Sequence, residues 1–159
     1  MSEVRPARDT DADDMAEVQN AIYRAGLRSS PVDVDLVRER YLDPEHLVAC
    51  TVAVEDGRVV GFQSLKRAWP GNPYDVPLGW GVIGTHIHPD AGRRGWGRRL
   101  FAVTLEAARA AGTRHVDASI GSDNEPALAY YAAMGFVPYR EPTATTTPHR
   151  LDVDGVDGA

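Results

Sequence analysis

The sequence predicts an α/β fold in which helices flank a mixed, mostly antiparallel twisted sheet. Runs at strand spacing alternate with amphipathic helical segments, and hairpin connections occur beside crossover helices. Of the 159 residues, 43% are hydrophobic, which is enough for one core. The elements follow the order β, α, α, β, β, β, α, β, α, β, β. We therefore expect a single domain over residues 1–159, with a mobile tail at 154–159.

The N-terminal half is predicted to contain a strand, two helices and a hairpin. An acidic cap ending at Asp11 begins a helix that reaches Tyr23, and Asp43-Pro44 ends the second helix. Asp56-Gly57 suits a hairpin turn that requires positive φ. The other predicted bounds are 4–8 for the first strand, 34–41 for the second helix, and 47–54 and 59–66 for the hairpin strands.

The C-terminal half is predicted to continue the sheet through two crossover helices. A loop rich in proline and glycine at 68–77 precedes it and is long enough to shape a binding cleft. Gly112 and Gly135 are placed to end the helices, and Asn124 to cap the second of them. The predicted strands are 78–87, 114–120, 136–140 and 149–153, and the predicted helices are 96–111 and 125–134.

Composition and charge argue against several classes of protein. The formal net charge is −6 and the basic residues cluster at one turn, whereas a nucleic-acid binder usually spreads them over a face. No run approaches the roughly 18 apolar residues of a membrane span, and residues 1–5 lack the apolar stretch of a signal peptide. The single Cys50 is interpreted as a small buried hydrophobe. We expect a soluble cytoplasmic protein that binds neither nucleic acid nor membrane.

A turn rich in glycine and arginine, between a predicted strand and the helix at 96–111, is the main functional signal. Gly95 and Gly97 leave the backbone open to a ligand, and the first N–H groups of the helix have no intrahelical partner. From Gly92 to Arg114 there are six Arg against one Glu. The turn is therefore predicted to bind phosphate groups.

Three interpretations of this turn follow from the residues alone. A P-loop requires Gly-Lys-Ser/Thr, which the sequence lacks. A dinucleotide fingerprint is partly matched by Gly95 and Gly97, with Asp117 as the ribose ligand, but Leu100 stands where the third glycine belongs. The glycines could also serve only to make a tight turn from strand to helix.

The order of motifs resembles the GNAT superfamily of acetyl-CoA-dependent N-acetyltransferases. The resemblance is carried by Pro89, by the turn at 92–100, by Asn124, and by the Ala-Tyr-Tyr-Ala-Ala-Met-Gly-Phe run at 129–136. It covers the whole order of elements and implies a sheet splayed at its centre into a cleft for acetyl-CoA. Within the superfamily, the second half is most similar to the phosphinothricin-type acetylators of small amines.

The resemblance also implies roles for individual residues. Main-chain N–H groups of the turn would bind the pyrophosphate, the main chain of Ile87 and His88 would pair with the pantetheine arm, and Asn124 would lie beside that arm. Two positions depart from the family pattern, since Gly92 replaces Gln or Arg and Arg93 replaces a frequent Gly. The turn residues concerned are Arg93, Arg94, Gly95, Trp96, Gly97 and Arg98.

Acetyl transfer to an amine needs a neutral amine and a proton donor for the departing thiolate. The resemblance implies Tyr131 as the acid, with Tyr130 in the core. The predicted strand at 78–87 has no carboxylate, and Val82 stands where phosphinothricin-type enzymes carry one. His86 shares the face of Val82 and is the candidate base, either as a proton relay through water or as a residue that only lines the cleft.

Two further patterns are weaker. His86 and His88 share a strand face, but no third ligand at a recognisable spacing accompanies them, so we expect no metal site. Trp69, Tyr74 and Trp80 surround the proline-rich loop and could form an acceptor pocket or pack within the loop.

The predicted function is transfer of an acetyl group from acetyl-CoA to a primary amine of a small molecule, such as an amino acid or an antibiotic-like compound. Attack is expected to be direct, in a ternary complex. The alternatives are an acyl-CoA-binding module without activity and acetylation of a protein or peptide amine. The sequence leaves the oligomeric state open, and a homodimer is suggested by family analogy alone.

Overall fold

The computed structural model describes residues 2–156, which form one seven-stranded sheet with helices on both faces. The strands run in the order β1-β2-β3-β4-β5-β7-β6, and each neighbouring pair is antiparallel except β4 and β5. The predicted mixed, mostly antiparallel α/β fold is confirmed. The strands are β1 (Ser2–Pro6), β2 (Leu47–Glu55), β3 (Arg58–Arg67), β4 (Gly81–Ile87), β5 (His115–Gly121), β6 (Val137–Pro138) and β7 (Thr146–Asp152).

Four α-helices connect these strands, and most of them begin and end close to the capping and helix-ending residues in the sequence. They are α1 (Ala12–Arg24), α2 (Val34–Val37), α3 (Trp96–Ala110) and α4 (Glu125–Met134). Helix α4 has the predicted bounds because the Asn124 side chain accepts a hydrogen bond from the Ala127 amide and Gly135 ends the helix at φ +105°. The second predicted helix is wrong in its last part, since α2 ends at Val37 and a π-helical turn follows over Arg38–Leu42.

Apolar side chains form a layer on each face of the sheet. On one face, α1 and α2 pack against β2 and β3 through residues such as Met15, Val37 and Phe62. On the other face, α3 and α4 cover β4, β5 and β7 through residues such as Leu105, Ile120 and Phe136. Cys50 is buried in the first layer, and burial raises the pKa of its thiol to about 12, as expected for a small hydrophobe.

The two central strands part soon after they meet. Strands β4 and β5 pair only at Gly81 with Val116 and Val82 with Asp117, although β4 runs on to Ile87. Strand β4 begins at Gly81, three residues after the predicted start at residue 78. The parting opens the sheet between the two core layers, and this gives the expected splayed cleft.

The C-terminal end of the described chain packs against the sheet. Residues Val153–Gly155 form a 3-10 turn, and the Arg109 guanidinium donates a hydrogen bond to the Val156 carbonyl oxygen at 2.7 Å. Of the predicted mobile tail, residues 157–159 lie outside the described part of the chain. None of the helices within residues 2–156 is long and apolar enough to span a bilayer.

Candidate active site

A cavity of about 450 Å³ occupies the opening between β4 and β5. Main-chain and side-chain atoms of β4 form its floor, the start of α4 forms one wall, and the loop after α1 and the loop before β4 form the other. The lining residues include three predicted site residues, His86, Asn124 and Tyr131, and two of the three predicted pocket aromatics, Trp69 and Tyr74. The third, Trp80, instead packs against His115 and Tyr139.

Tyr131 lies at the centre of the cleft on the α4 side. Its side chain is only 6% exposed, and its phenol donates a 2.9 Å hydrogen bond to the Thr85 hydroxyl on β4. Burial raises the pKa of Tyr131, so the phenol holds its proton at neutral pH. Tyr131 thus lines the cavity as a protonated phenol that is bonded to β4.

His86 lies on the opposite face of β4 from Thr85, against α1. Its Nε2 is 3.3 Å from the Tyr41 hydroxyl, its Nδ1 is 3.5 Å from the Gln19 amide nitrogen, and its ring packs on Phe62. Burial lowers the pKa of His86 to about 3, and the positive charges of Arg28 and Arg40 lower it further. The imidazole is therefore neutral at pH 7, with a low affinity for a proton.

The turn before α3 has the geometry expected of an anion site. Gly95 adopts φ +80° and its Cα faces open space, since a Cβ added there would meet nothing within 4 Å. The first internal hydrogen bond of α3 runs from the Arg99 amide to the Gly95 carbonyl at 3.2 Å, which leaves the amides of residues 96–98 without an intrahelical acceptor. The side chains of Arg93 and Arg98 are exposed at the same turn.

Gly97 serves a purpose that the sequence did not disclose. A Cβ there would lie 2.6 Å from Cε1 of Tyr130, so the glycine makes room for this ring. The Tyr130 phenol donates to the Gly97 carbonyl oxygen at 2.8 Å and accepts from the Gln63 amide at 3.0 Å. Gln63 also donates to Thr85 at 2.9 Å, so a continuous network joins the turn to Tyr131.

Two side chains of the turn face the protein rather than the cleft. Trp96 is 3% exposed, packs among Ala53, Ala91 and Leu100, and donates from its indole to Glu55 at 3.3 Å. Arg94 forms an ion pair with the same Glu55 carboxylate. Glu55 at the end of β2 thus contacts both side chains, of which Trp96 is buried and Arg94 is half exposed.

The expected role of the His88 main chain is wrong. Its amide donates to the Val60 carbonyl at 2.8 Å and its carbonyl accepts from the Ala91 amide at 2.9 Å, so both groups are already paired. Because main-chain groups alternate in direction along a strand, those of Ile87 and Thr85 face the open edge instead. His88 also lies outside the cavity, where its Nδ1 accepts from the Asp90 amide and caps the 3-10 turn at Pro89–Ala91.

Asp117 is unsuited to bind a ribose, as the dinucleotide interpretation required. The carboxylate is fully buried, accepts a 2.8 Å hydrogen bond from Ser119 and a further one from the Tyr139 phenol, and its pKa is raised by burial. His86 and His88 line separate depressions, and within residues 2–156 no three metal-ligating side chains converge.

The fold is also found in solved structures of acetyltransferases. The yncA protein of Salmonella typhimurium, solved with its cofactor acetyl-CoA, superposes with a TM-score of 0.74 and 21% identity, over 98% of this chain and 95% of that one. This likeness shows that the chain has an acetyltransferase-type fold. Comparison of the sequence with known families identifies the family to which the chain belongs.

The chain belongs to the acetyltransferase (GNAT) family, whose profile matches residues 12–136. The L-amino acid N-acyltransferase MnaT of Escherichia coli (strain K12) is 30% identical over 84% of this chain and 78% of that protein. The mycothiol acetyltransferase of Clavibacter michiganensis is 37% identical over 64% of this chain but only 30% of its own length. The chain thus spans about a third of this longer relative.

Proposed function

We propose that this chain transfers an acetyl group from acetyl-CoA to the primary amine of a small molecule, by direct attack in a ternary complex. The observation that carries the proposal is the buried Tyr131 phenol, which bonds to Thr85 on the unpaired part of β4 and lines the cavity of about 450 Å³.

The residues present fit acetyl-CoA at three places. The unpaired amides of Trp96, Gly97 and Arg98 suit the pyrophosphate, with the exposed Arg93 and Arg98 side chains beside it. The open edge of β4 at Thr85 and Ile87 suits the amides of the pantetheine arm. Asn124 lies at the cavity wall near that edge, and its amide nitrogen is not used by the helix cap.

The proposed chemistry assigns the acid to Tyr131. The amine nitrogen forms a bond to the acetyl carbon, the carbon–sulfur bond breaks, and the Tyr131 phenol gives its proton to the departing thiolate. The amine loses one proton to water, and the resulting tyrosinate regains a proton from solvent. The raised pKa of Tyr131 means that the phenol carries its proton in the resting site at neutral pH.

His86 is proposed as the residue that orients the attacking amine. The imidazole acts through the Tyr41 hydroxyl, which its Nε2 contacts at 3.3 Å and which lines the same cavity, and water carries the proton away because the low pKa of His86 disfavours an imidazolium. In this role His86→Ala lowers kcat about tenfold or more with unchanged acetyl-CoA affinity. If the kcat of His86→Ala equals that of the wild type at every pH from 6 to 9, His86 has no role in the mechanism.

The acceptor is proposed to be a small amine of the amino acid type, within or near the phosphinothricin-type branch that the motifs resemble. The similarity to an L-amino acid N-acyltransferase supports the amino acid part of this proposal. The rival functions give different results with a panel of amines and acetyl-CoA. Thiol release with small amines supports transfer, release with peptides alone supports a protein acceptor, and binding without any release supports a non-catalytic module.

The first test is calorimetric titration with acetyl-CoA, NADH and ATP. Gly95→Glu places a carboxylate in the anion turn, and Gly112→Glu is the matched control at the other end of α3. Both glycines have positive φ, +80° and +72°, with open space around the Cβ position. Selective binding of acetyl-CoA that is lost only in Gly95→Glu supports the proposal. Preference for NADH, or equal binding by both variants, would overturn it.

A further inference from the structure

Three cationic side chains from three different elements line the cavity together with His86. Arg28 comes from the loop after α1, Arg40 from the π-helical turn, and Lys66 from β3. Among the described residues that line this cavity, none is Asp or Glu. An acceptor therefore meets a surface with three positive charges and no negative one, beside the reacting centre.

These three cations line the cavity without an ion-pair partner among the described residues. The chain has 23 Asp and Glu against 17 Lys and Arg, and other arginines such as Arg5, Arg24 and Arg94 pair with acids. Within residues 2–156 none of the three cavity cations forms an ion pair. Arg28 donates only to the Ser30 carbonyl oxygen, at 3.2 Å. An acidic chain that leaves these groups unpaired keeps them available to an anionic ligand.

Arg40 acts electrostatically on Lys66, and both arginines act on His86. Burial lowers the pKa of Lys66, and the charge of Arg40 lowers it further, against the smaller opposite effect of Asp43 and Glu39, which do not line the cavity. The Lys66 ammonium lies 4.7 Å from the centre of the Trp69 ring, which holds it in place. Like charges held together in a partly buried site repel, and a bound anion relieves that repulsion.

The position of the arginines relative to His86 indicates which anion they bind. Arg28 and Arg40 line the same cavity as His86, and their positive charges lower its pKa, so both lie on the side where the amine is proposed to bind. In an α-amino acid the carboxylate is one carbon away from the amine. Lys66 on β3 is paired with Val82 on β4, and it therefore lies on the same face of the sheet as His86, four residues further along.

We infer that Arg28, Arg40 and Lys66 form a subsite for an acceptor with two anionic groups, as in an α-amino dicarboxylate. Arg28 and Arg40 bind the carboxylate next to the reacting amine, and Lys66 binds the second anionic group. The inference rests on the proposed function, because it identifies the other substrate of the same cavity. It names a class of acceptor by charge and spacing.

A panel of three amines tests the inference, with L-glutamate, L-glutamine and butylamine carrying two, one and no carboxylates. The subsite predicts kcat/KM in that order, with steps of about tenfold or more. Arg28→Gln and Arg40→Gln raise KM for both amino acids about ten- to a hundredfold, whereas Lys66→Met affects L-glutamate alone. KM for acetyl-CoA stays unchanged. Arg38→Gln is the matched control, because Arg38 lies on the same turn but pairs with Asp9 outside the cavity.

Binding of N-acetyl-L-glutamate, followed by calorimetry, gives a readout that does not depend on turnover. Binding that is lost in Arg28→Gln and Arg40→Gln, with no thiol release from any amine, supports the subsite and contradicts acetyl transfer. Thiol release that is fastest with butylamine, with no binding of N-acetyl-L-glutamate, supports acetyl transfer and overturns the subsite. Equal effects of Arg38→Gln and Arg40→Gln would also overturn it.

Discussion

The phenol of Tyr131 donates a 2.9 Å hydrogen bond to the hydroxyl of Thr85, and this contact spans the gap between α4 and β4. It fixes the phenol beside the open edge of β4, where the pantetheine arm is proposed to lie. Thr85 in turn accepts from the fully buried Gln63, so the acceptor of this bond is itself held in place. The orientation of the proposed acid is therefore set by the sheet.

Replacement of Tyr131 by phenylalanine tests the acid. We expect Tyr131→Phe to lower kcat about ten- to a thousandfold, toward the lower part of the usual range for general acid catalysis, because the thiolate then leaves without a proton. The affinity for acetyl-CoA, measured by calorimetry, should change little since the ring remains. Tyr23→Phe is the control, as Tyr23 is 40% exposed and outside the cavity. Equal kcat values for the two variants would contradict the assignment.

The buried His86 predicts a specific dependence of stability on pH. Its folded pKa of about 3 lies below the ordinary value of 6.5, so between these values the unfolded chain binds a proton that the folded chain does not. The contribution of the neutral His86 to the free energy of unfolding is thus fully present above pH 6.5 and is lost as the pH falls toward 3. The slope is at most about 1.4 kcal/mol per pH unit.

Urea unfolding of wild type and His86→Gln between pH 4 and 7.5 measures this contribution, because the titration of all other groups is shared. The difference in free energy of unfolding between the two proteins should shift in favour of His86→Gln as the pH falls. Parallel curves would show that the imidazole titrates normally in the folded protein.

Gly97 provides a prediction in which the sign depends on one neighbour. Replacement of a glycine within a helix by alanine stabilises a protein by up to about 0.5–1 kcal/mol where the new methyl group has space. Here the new Cβ would lie 2.6 Å from the Tyr130 ring, so Gly97→Ala should instead destabilise by about 1–3 kcal/mol. In a Tyr130→Ala background the same change should become neutral or stabilising. Urea unfolding of the four proteins measures the coupling, and additive effects would refute the clash.

The buried Asp117 predicts that Tyr139 stabilises the fold most at neutral pH. Tyr139→Phe removes a donor to the Asp117 carboxylate, which should cost about 1–3 kcal/mol at pH 7. Burial raises the pKa of Asp117 in the folded protein, and the Tyr139 hydrogen bond opposes this rise. Without that bond, the folded variant loses more stability than the wild type as the pH rises and Asp117 ionises. The loss, measured by urea unfolding, should therefore be smaller at pH 4 than at pH 7. Equal losses at both pH values would contradict this account.

Local signals predicted much of the architecture. The bounds of α4 could be read because Asn124, Pro126 and Gly135 each have a distinct role at a helix end. The anion turn could be read for the same reason, since Gly95 requires a positive φ. The strand before it was harder to delimit, because three glycines between 78 and 87 weaken the pattern, and β4 begins only at Gly81.

The rest of the site depends on contacts between distant segments. The sequence indicated that Trp96 and Arg94 lie at the turn, but Glu55, some forty positions earlier, determines where their side chains point. The direction of the His88 main chain depends on its pairing with Val60. Arg28 and Arg40 stand in segments with no motif, and only the folded chain places them in the cavity.

The fit of Tyr130 against Gly97 has a consequence for how sequences of this kind can diverge. A larger residue at position 97 is compatible with the fold only when position 130 becomes smaller, so the two positions are expected to covary among homologues. A substitution that alters the floor of the anion turn must then be accompanied by one on α4, next to Tyr131. Attempts to retune cofactor preference at residue 97 will accordingly need paired libraries rather than single-site variants.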